Sequence, residues 1–276
     1  MYSDVSEEVG VSDALDDAIE QYKPAWVFAL VSGGHDSASM LHYVRDRISA
    51  AVHIDTGTGI PETRAYVDRL CVSMGIKLLV YEAANATDGE GNPEPQVYAD
   101  IVRQHGFPGP AQHRIMYSKL KERPLRMLLR EHAGVKLLVT GVRSSESARR
   151  MGFVAPIKVE TGNKIWVAPC HDWDVDRQNE YMAVNSIPRN PVKDTLGMSG
   201  ECLCGAYAKP GELDRLRAYC PEIAARIEAL EQEVIVRDRK FTWGWGEKPP
   251  RFASKNQMTL DMDFIPVMCI GCESKL

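Results

Sequence analysis

Apolar and polar positions along the chain follow two rhythms. Trp26 to Val31 (WVFALV) is an unbroken apolar run of strand length, which predicts a buried parallel strand. Met40, Leu41, Val44 and Ile48 then recur at helical spacing. Ala51 to Ile54 reads as a second strand, followed by a helix opened by Pro61 and closed at Gly75, and Lys77 to Tyr81 as a third strand. Glu82 to Pro95 (EAANATDGEGNPEP) is a loop by composition. Helical patterns return before Gly106 and through LKERPLRMLLREH, which leads into a fourth strand at Val135 to Thr140. A further strand fits Ile165 to Ala168, with a helix from about Asp174 to Asn185. Strands alternating with helices predict an α/β fold, a doubly wound parallel sheet covered on both faces.

After about Gly200 the rhythm changes. Ile223, Ile227, Leu230 and Val234 mark a long amphipathic helix, and an irregular Trp/Pro-rich tail ends in CIGC. The expected organisation is an acidic segment over residues 1–24, an α/β domain over 25–200, and a helical, cysteine-containing appendage over 201–276.

Composition narrows the class without changing the fold. The 276 residues are 44% hydrophobic and 26% charged, ordinary for a folded domain. No run of about 18 apolar residues is present, so no membrane span is expected. MYSDVSEEVGVSDALDD lacks the basic start and apolar stretch of a secretion signal, which predicts a cytoplasmic protein. In that compartment the seven cysteines point to metal or redox roles rather than disulfides. A net charge of −5 argues against coating nucleic acid unaided, although a local basic patch remains compatible.

Chemistry enters at LVSGGHDSASML, Leu30 to Leu41. A strand feeding a glycine-rich turn and then a helix presents successive backbone N–H groups and a helix N-terminus to an anion. Gly33 and Gly34 allow close approach, and Ser32 and Ser37 can donate hydroxyls. Asp36 beside phosphate needs Mg²⁺ or a helix-cap role to absorb its charge. The plainer reading is a βα turn with Asp36 as N-cap. Two more strand ends carry similar chemistry. HIDTGTGIPETRAYV puts Asp55, Thr56 and Gly57 beyond the second strand, at the crevice where doubly wound sheets bind ligands. TGVRSSESARR, beyond the fourth, supplies Thr140, Gly141, Arg143, Glu146, Arg149 and Arg150. The arginines can engage anionic oxygens bidentately, and Glu146 can pair with one of them or help bind a metal.

Among the cysteines, Cys71 falls on apolar helix positions and reads as core, while Cys170 fits either a buried place or one near the site. Cys202-Leu203-Cys204 and Cys269-Ile270-Gly271-Cys272 are short chelating pairs, and four thiolates suit Zn²⁺ or an iron–sulfur cluster. His113, Tyr117, Lys119, Lys121 and Arg123 form a basic stretch that fits either a solvated helix face or a contact with substrate or nucleic acid. FTWGWGEKPPRF, Phe241 to Phe252, is expected to be a loop packed on the core, with base stacking as the alternative.

SGGHDS resembles the PP-loop SGGxDS of the ATP pyrophosphatase superfamily. With the DTG-x-x-PET-like and TG-x-R-like segments, and with VAPCHDWDVDRQNEYMAVNSIPRNPV, the chain resembles the phosphoadenylyl-sulfate (PAPS) reductase branch over about residues 25–205. The resemblance implies an adenine nucleotide alpha hydrolase-like, Rossmann-like fold. It implies Ser32, Gly33, Gly34, Asp36 and Ser37 at phosphates, Asp55 and Thr56 near the nucleoside, and Arg143 and Arg149 at the anionic end.

Two departures from the family pattern shape the expectation. Relatives that carry a [4Fe–4S] cluster use a CC pair and a CxxC pair; Cys202 and Cys204 fall at the second, but HRIMYS stands where the CC pair belongs. The partner pair would then be Cys269 and Cys272, with Cys220 as a substitute ligand. The ECGLH-like segment that supplies the reductase nucleophile is also absent from the sequence. This combination is nearer to DndC/SspD-like iron–sulfur sulfurtransferases. It implies ATP with Mg²⁺, a [4Fe–4S] cluster (alternatively Zn²⁺), a cysteine desulfurase as sulfur donor, a nucleic acid acceptor and a homodimer among the assemblies. An APS/PAPS reductase and a nucleotide-binding subunit with a zinc clamp are the alternatives.

Overall fold

The computed structural model describes residues 13–144, 155–160, 163–237 and Trp245. In chain order its elements are α1 (Ala14–Tyr22), β1 (Trp26–Leu30), α2 (His35–Val44), β2 (Ala50–Asp55), α3 (Pro61–Ser73), β3 (Leu78–Glu82), α4 (Tyr98–His105) and α5 (His113–Tyr117). They continue with α6 (Arg123–Glu131), β4 (Lys136–Val139), β5 (Ile157–Glu160), β6 (Lys164–Val167), α7 (Val175–Val184), α8 (Pro191–Leu196), α9 (Glu212–Tyr219) and α10 (Pro221–Arg237). The six strands form one sheet in the order β3-β2-β1-β4-β6-β5. All neighbours run parallel except β5, which pairs antiparallel with β6.

The period of two along each strand divides the core. Val27, Ala29, Ala51, Leu137, Val139, Ile165 and Val167 face one side, where they meet Leu15 of α1, Leu41 of α2, Val67 of α3 and Met182 of α7. Phe28, Val52, Ile54, Leu138 and Trp166 face the other, against Leu125 and Leu128 of α6. Burial of both faces is why these strands read as continuous apolar runs. A separate apolar cluster joins Ile101 and Val102 of α4, Met116 of α5, Leu196 of α8, Leu216 of α9 and Ile223 and Ile227 of α10.

Several elements differ from the sequence pattern. Residues 45–47 form a short 3-10 turn, so α2 stops at Val44 and Ile48 lies outside it. Strand β5 is a half-exposed edge whose IKVE sequence carries no apolar run, and the pattern misses it. Helix α1 lies within the acidic N-terminal stretch, with Leu15 and Ala18 fully buried. The helix expected through LKERPLRMLLREH is interrupted by a π-helical turn at Ser118–Glu122.

Candidate nucleotide site and cysteine turn

The strand order sets the site's position. The chain builds β1, β2 and β3 outward on one side, then returns to place β4 beside β1. The carboxyl ends of β1 and β4 therefore flank the point where the winding reverses, and crevices form there in such sheets. The loop at Ser32 leaves β1, and Thr140 to Ser144 leaves β4.

Gly141 lets the two segments meet. A Cβ on it would lie 2.5 Å from the carbonyl oxygen of Asp36 and 2.8 Å from the Ser37 nitrogen, so only glycine permits this approach. Gly33 is left-handed, with φ +81°, and its Cα sits against Thr63 of α3. Gly34 is the N-cap of α2 and offers no side-chain cap, which leaves the first-turn N–H groups to other acceptors. Asp36 is therefore inside the first turn and is not the N-cap.

The hydroxyls are mutually held. Ser37 Oγ donates to Gly34 O at 2.9 Å, the Ser32 N–H donates to Ser37 Oγ at 3.3 Å, and the two hydroxyl oxygens lie 3.3 Å apart. Arg143 Nε donates to Asp36 Oδ1 at 2.5 Å in a largely buried ion pair. Arg143 thus balances the Asp36 charge, a role that Mg²⁺ or a cap was expected to fill. Thr140 Oγ1 is buried without a hydrogen-bond partner among the described residues. It lines a chamber of about 40 Å³ together with Ser32, Ser37, Lys121 and Glu201.

Lys121 was not expected there. The basic stretch is not a solvated face, because His113, Tyr117 and Lys121 are buried. Lys121 Nζ donates to Glu201 Oε2 at 2.8 Å, with about 7% and 6% of the two side chains exposed. The π-helical turn carries Lys121, and such turns occur often at functional sites. Arg123 forms an ion pair with Glu94.

Asp55, the last residue of β2, and Thr56 and Gly57 just beyond it line a larger cavity of about 480 Å³, shared with Glu82, Gln96 and residues of α10. Asp55 Oδ1 accepts the Gly57 N–H at 2.8 Å, and Thr56 Oγ1 donates to Glu201 O at 3.1 Å. Leu203 N–H donates to Thr58 Oγ1 at 2.9 Å. The β2 loop is therefore stitched to the segment that carries Cys202 and Cys204.

Cys202 is half-buried and Cys204 buried. The Tyr98 hydroxyl donates to Cys204 O at 2.9 Å, and burial, with the nearby Cys204 and Cys202 thiols, pushes that phenol well above its usual pKa. Trp245 is buried and donates Nε1–H to Leu203 O at 3.3 Å, while its ring covers Gly205. For this residue of the FTWGWGEKPPRF segment the core-packing reading holds. Among the described residues no three His, Cys, Asp or Glu side chains converge as a metal site. Cys269 and Cys272 lie outside the described residues, as do Glu146, Arg149 and Arg150. Cys71 and Cys170 are buried in the sheet core; burial holds the Cys71 thiol up at about 11 and pushes Cys170 up as well. Among the described residues no helix is long and apolar enough to cross a membrane.

Glu201, Thr63 and Asn190 are site residues that sequence reasoning did not single out, and Lys121 was named only within a basic stretch read as a solvated face or a substrate contact. Thr63 falls in the quoted PET segment and Asn190 in the NP of the quoted SIPRNPV stretch, whereas nothing local marks Glu201.

Residues 26–199 match the phosphoadenosine phosphosulfate reductase domain, a span holding all three strand-end motifs but neither Cys202 nor Cys204. The chain is 30% identical over 163 residues to adenosine 5'-phosphosulfate reductase of Rhizobium tropici, covering 59% of this chain and 86% of that relative. It spans 50% to 76% of the length of six other APS or PAPS reductases. The crystal structure of PAPS reductase from Candida auris superposes with a TM-score of 0.49 at 20% identity, covering 67% of this chain and 83% of that one. The U34-tRNA thiolase NcsA from Methanococcus maripaludis, solved with its [4Fe–4S] cluster, gives a TM-score of 0.40 at 13% identity, covering 80% and 76%. The domain match covers well over half of the chain, which therefore belongs to the PAPS reductase family of the PP-loop superfamily.

Proposed function

We propose that this chain is an ATP-dependent sulfurtransferase that adenylates an acceptor oxygen, releases pyrophosphate and lets a sulfur nucleophile displace AMP. The observation that carries the reading is the small chamber between the carboxyl ends of β1 and β4. Ser32, Ser37 and Thr140, whose Oγ1 has no hydrogen-bond partner among the described residues, line it, and the start of α2, which has no side-chain cap, adjoins it through Ser37. Ser32, Gly33, Gly34, Ser37, Thr140 and Gly141 hold the phosphates in this reading. The nucleoside lies toward Asp55, Thr56 and Gly57, and Asp36 is paired with Arg143 to orient it. Arg149 and Glu146 are proposed for the anionic end and for a Mg²⁺ that accompanies ATP.

The donor set fits a soft metal. Cys202 and Cys204 are brought together by one turn, and Trp245 packs directly against that turn. These four cysteines would hold a [4Fe–4S] cluster, or Zn²⁺ as the alternative, and a cluster when bound supplies a site for sulfur delivery. The thiol donors suit either metal. A cysteine desulfurase is the proposed sulfur source, and DNA phosphorothioate or tRNA thiolation the proposed outcome.

One observation favours a second reading, reduction of APS or PAPS: the 30% identity to an APS reductase over 86% of that protein. The absent ECGLH-like segment weighs against it. Anaerobically purified chain, given ATP, Mg²⁺ and pooled tRNA or sheared DNA, is expected to release pyrophosphate in an acceptor-dependent manner. Sulfite from APS with a thiol reductant, and no pyrophosphate from ATP, would establish the reductase instead.

A further inference from the structure

Asn190 has no solvent exposure and sits where three segments of the site meet. Its Oδ1 accepts the Val192 N–H at 3.0 Å and so caps α8. Its Nδ2 donates to Gly33 O at 2.8 Å, and Thr63 Oγ1 and Ser199 O each lie at 3.4 Å from the same nitrogen. Thr63 in turn donates to Ser199 O at 2.6 Å, three residues before Cys202.

The bond to Gly33 O has a geometric consequence. A peptide unit is planar and trans, so its C=O and N–H point in opposite directions. Fixing the Gly33 carbonyl on a buried amide turns the Gly34 N–H away from the core. That N–H is the first of the donors at the start of α2 that lack an intrahelical acceptor. Gly33 has a glycine's freedom, with φ +81°, so its own backbone preference does not hold this peptide in one orientation. A flipped peptide would present a carbonyl oxygen to an anion instead of a donor.

We propose that Asn190 is a positioning residue that locks the Gly33–Gly34 peptide with its carbonyl held to the buried amide and its N–H turned the opposite way, as a donor of the Ser32–Ser37 loop, so that the loop accepts pyrophosphate. It touches no phosphate itself and acts through the peptide. The inference rests on the nucleotide reading above and adds to it the residue that sets the loop's donor orientation.

The test uses displacement of a fluorescent ATP analogue from the full chain by two probes, inorganic pyrophosphate with Mg²⁺ and adenosine. Asn190→Asp keeps an acceptor for the Val192 N–H but removes the donor to Gly33 O. Asn190→Ser keeps a capping hydroxyl that is too short to reach it. Both variants are expected to weaken pyrophosphate displacement by about tenfold or more, while adenosine displaces as in the wild type. Equal weakening of both probes would mean a purely structural role and overturn the proposal, as would unchanged pyrophosphate affinity in a folded variant. Should Asn190→Asp fail to fold, Asn190→Ser decides. If the wild-type chain binds the ATP analogue but pyrophosphate does not displace it, the positioning proposal falls while nucleotide binding stands. If the analogue does not bind at all, the nucleotide reading falls and takes the proposal with it.

Discussion

The two ends of the site are built in different ways. At the β1/β4 crossing, polar groups are held by neighbours close in the fold. Asp36 is balanced by Arg143, Ser37 by Gly34, and Gly33 by Asn190. At the cysteine turn two thiols sit half-buried and buried beside Tyr98 and Trp245, and the pair that would complete a donor set is far along the sequence. The first end is held in place by neighbouring backbone and side chains, and it is the end proposed to receive phosphate. The donor set proposed for the second draws on a distant segment, so the two ends can be tested separately. Lys121 and Glu201 form the joint between them, since Glu201 precedes Cys202 while Lys121 lines the chamber with Ser32, Ser37 and Thr140.

That joint gives the largest expected effect. Lys121→Met leaves the Glu201 carboxylate buried without its cation and should cost about 3–5 kcal/mol in urea denaturation. Replacing both, Lys121→Met with Glu201→Leu, should recover most of that stability. A double variant as unstable as the single one would show that the pair is not the source of the cost.

Gly141→Ala tests the crossing itself. Its methyl group would meet the Asp36 backbone, which can move only by shifting the start of α2. ATP affinity should fall by about tenfold, or 1.4 kcal/mol, in titration calorimetry, with bound iron or zinc unchanged. Cys202→Ser is the mirror experiment. Metal content by elemental analysis should fall, while ATP affinity stays within about twofold because Cys202 lines neither the β1/β4 chamber nor the cavity beyond β2. Parallel loss of both properties in either variant would break the distinction between the two ends.

The smallest effect is a proton linkage at His35, in the first turn of α2. Burial, aided by Arg189 and opposed by Asp194, lowers its pKa from the ordinary 6.5. The unfolded chain therefore binds the proton more readily than the folded one. The stability this histidine contributes is present above pH 6.5 and is lost as pH falls below it. His35→Gln should flatten the dependence of Tm on pH in that range. Some dependence should remain, because His42 is shifted in the same direction.

The sequence made the crossing legible because its determinants are local. An apolar run, a glycine turn and an apolar-periodic helix each announce themselves within a dozen residues, so β1, β2, β4 and the loops at Ser32 and Thr140 could be read directly. The partners that stabilise those loops are far apart in the chain. Asn190 is 157 residues from Gly33, and Glu201 is 80 from Lys121. Nothing near Lys121 distinguishes a buried ion pair from a solvated basic helix face, since both use the same lysine at the same period. For Asp36 the sequence offered a metal or a cap as the partner of its charge; the fold makes Gly34 the cap and adds Arg143, which comes from 107 residues away.

The central claim is that the crossing binds ATP for adenylation and pyrophosphate release, not a sulfonucleotide for reduction. The most direct measurement compares products when anaerobically purified, full-length chain is given ATP or APS in parallel, with nucleic acid acceptor and a thiol reductant in both. The account predicts pyrophosphate and AMP from ATP, lost in Asp36→Ala, and no sulfite from APS. Sulfite from APS with no pyrophosphate from ATP would contradict it.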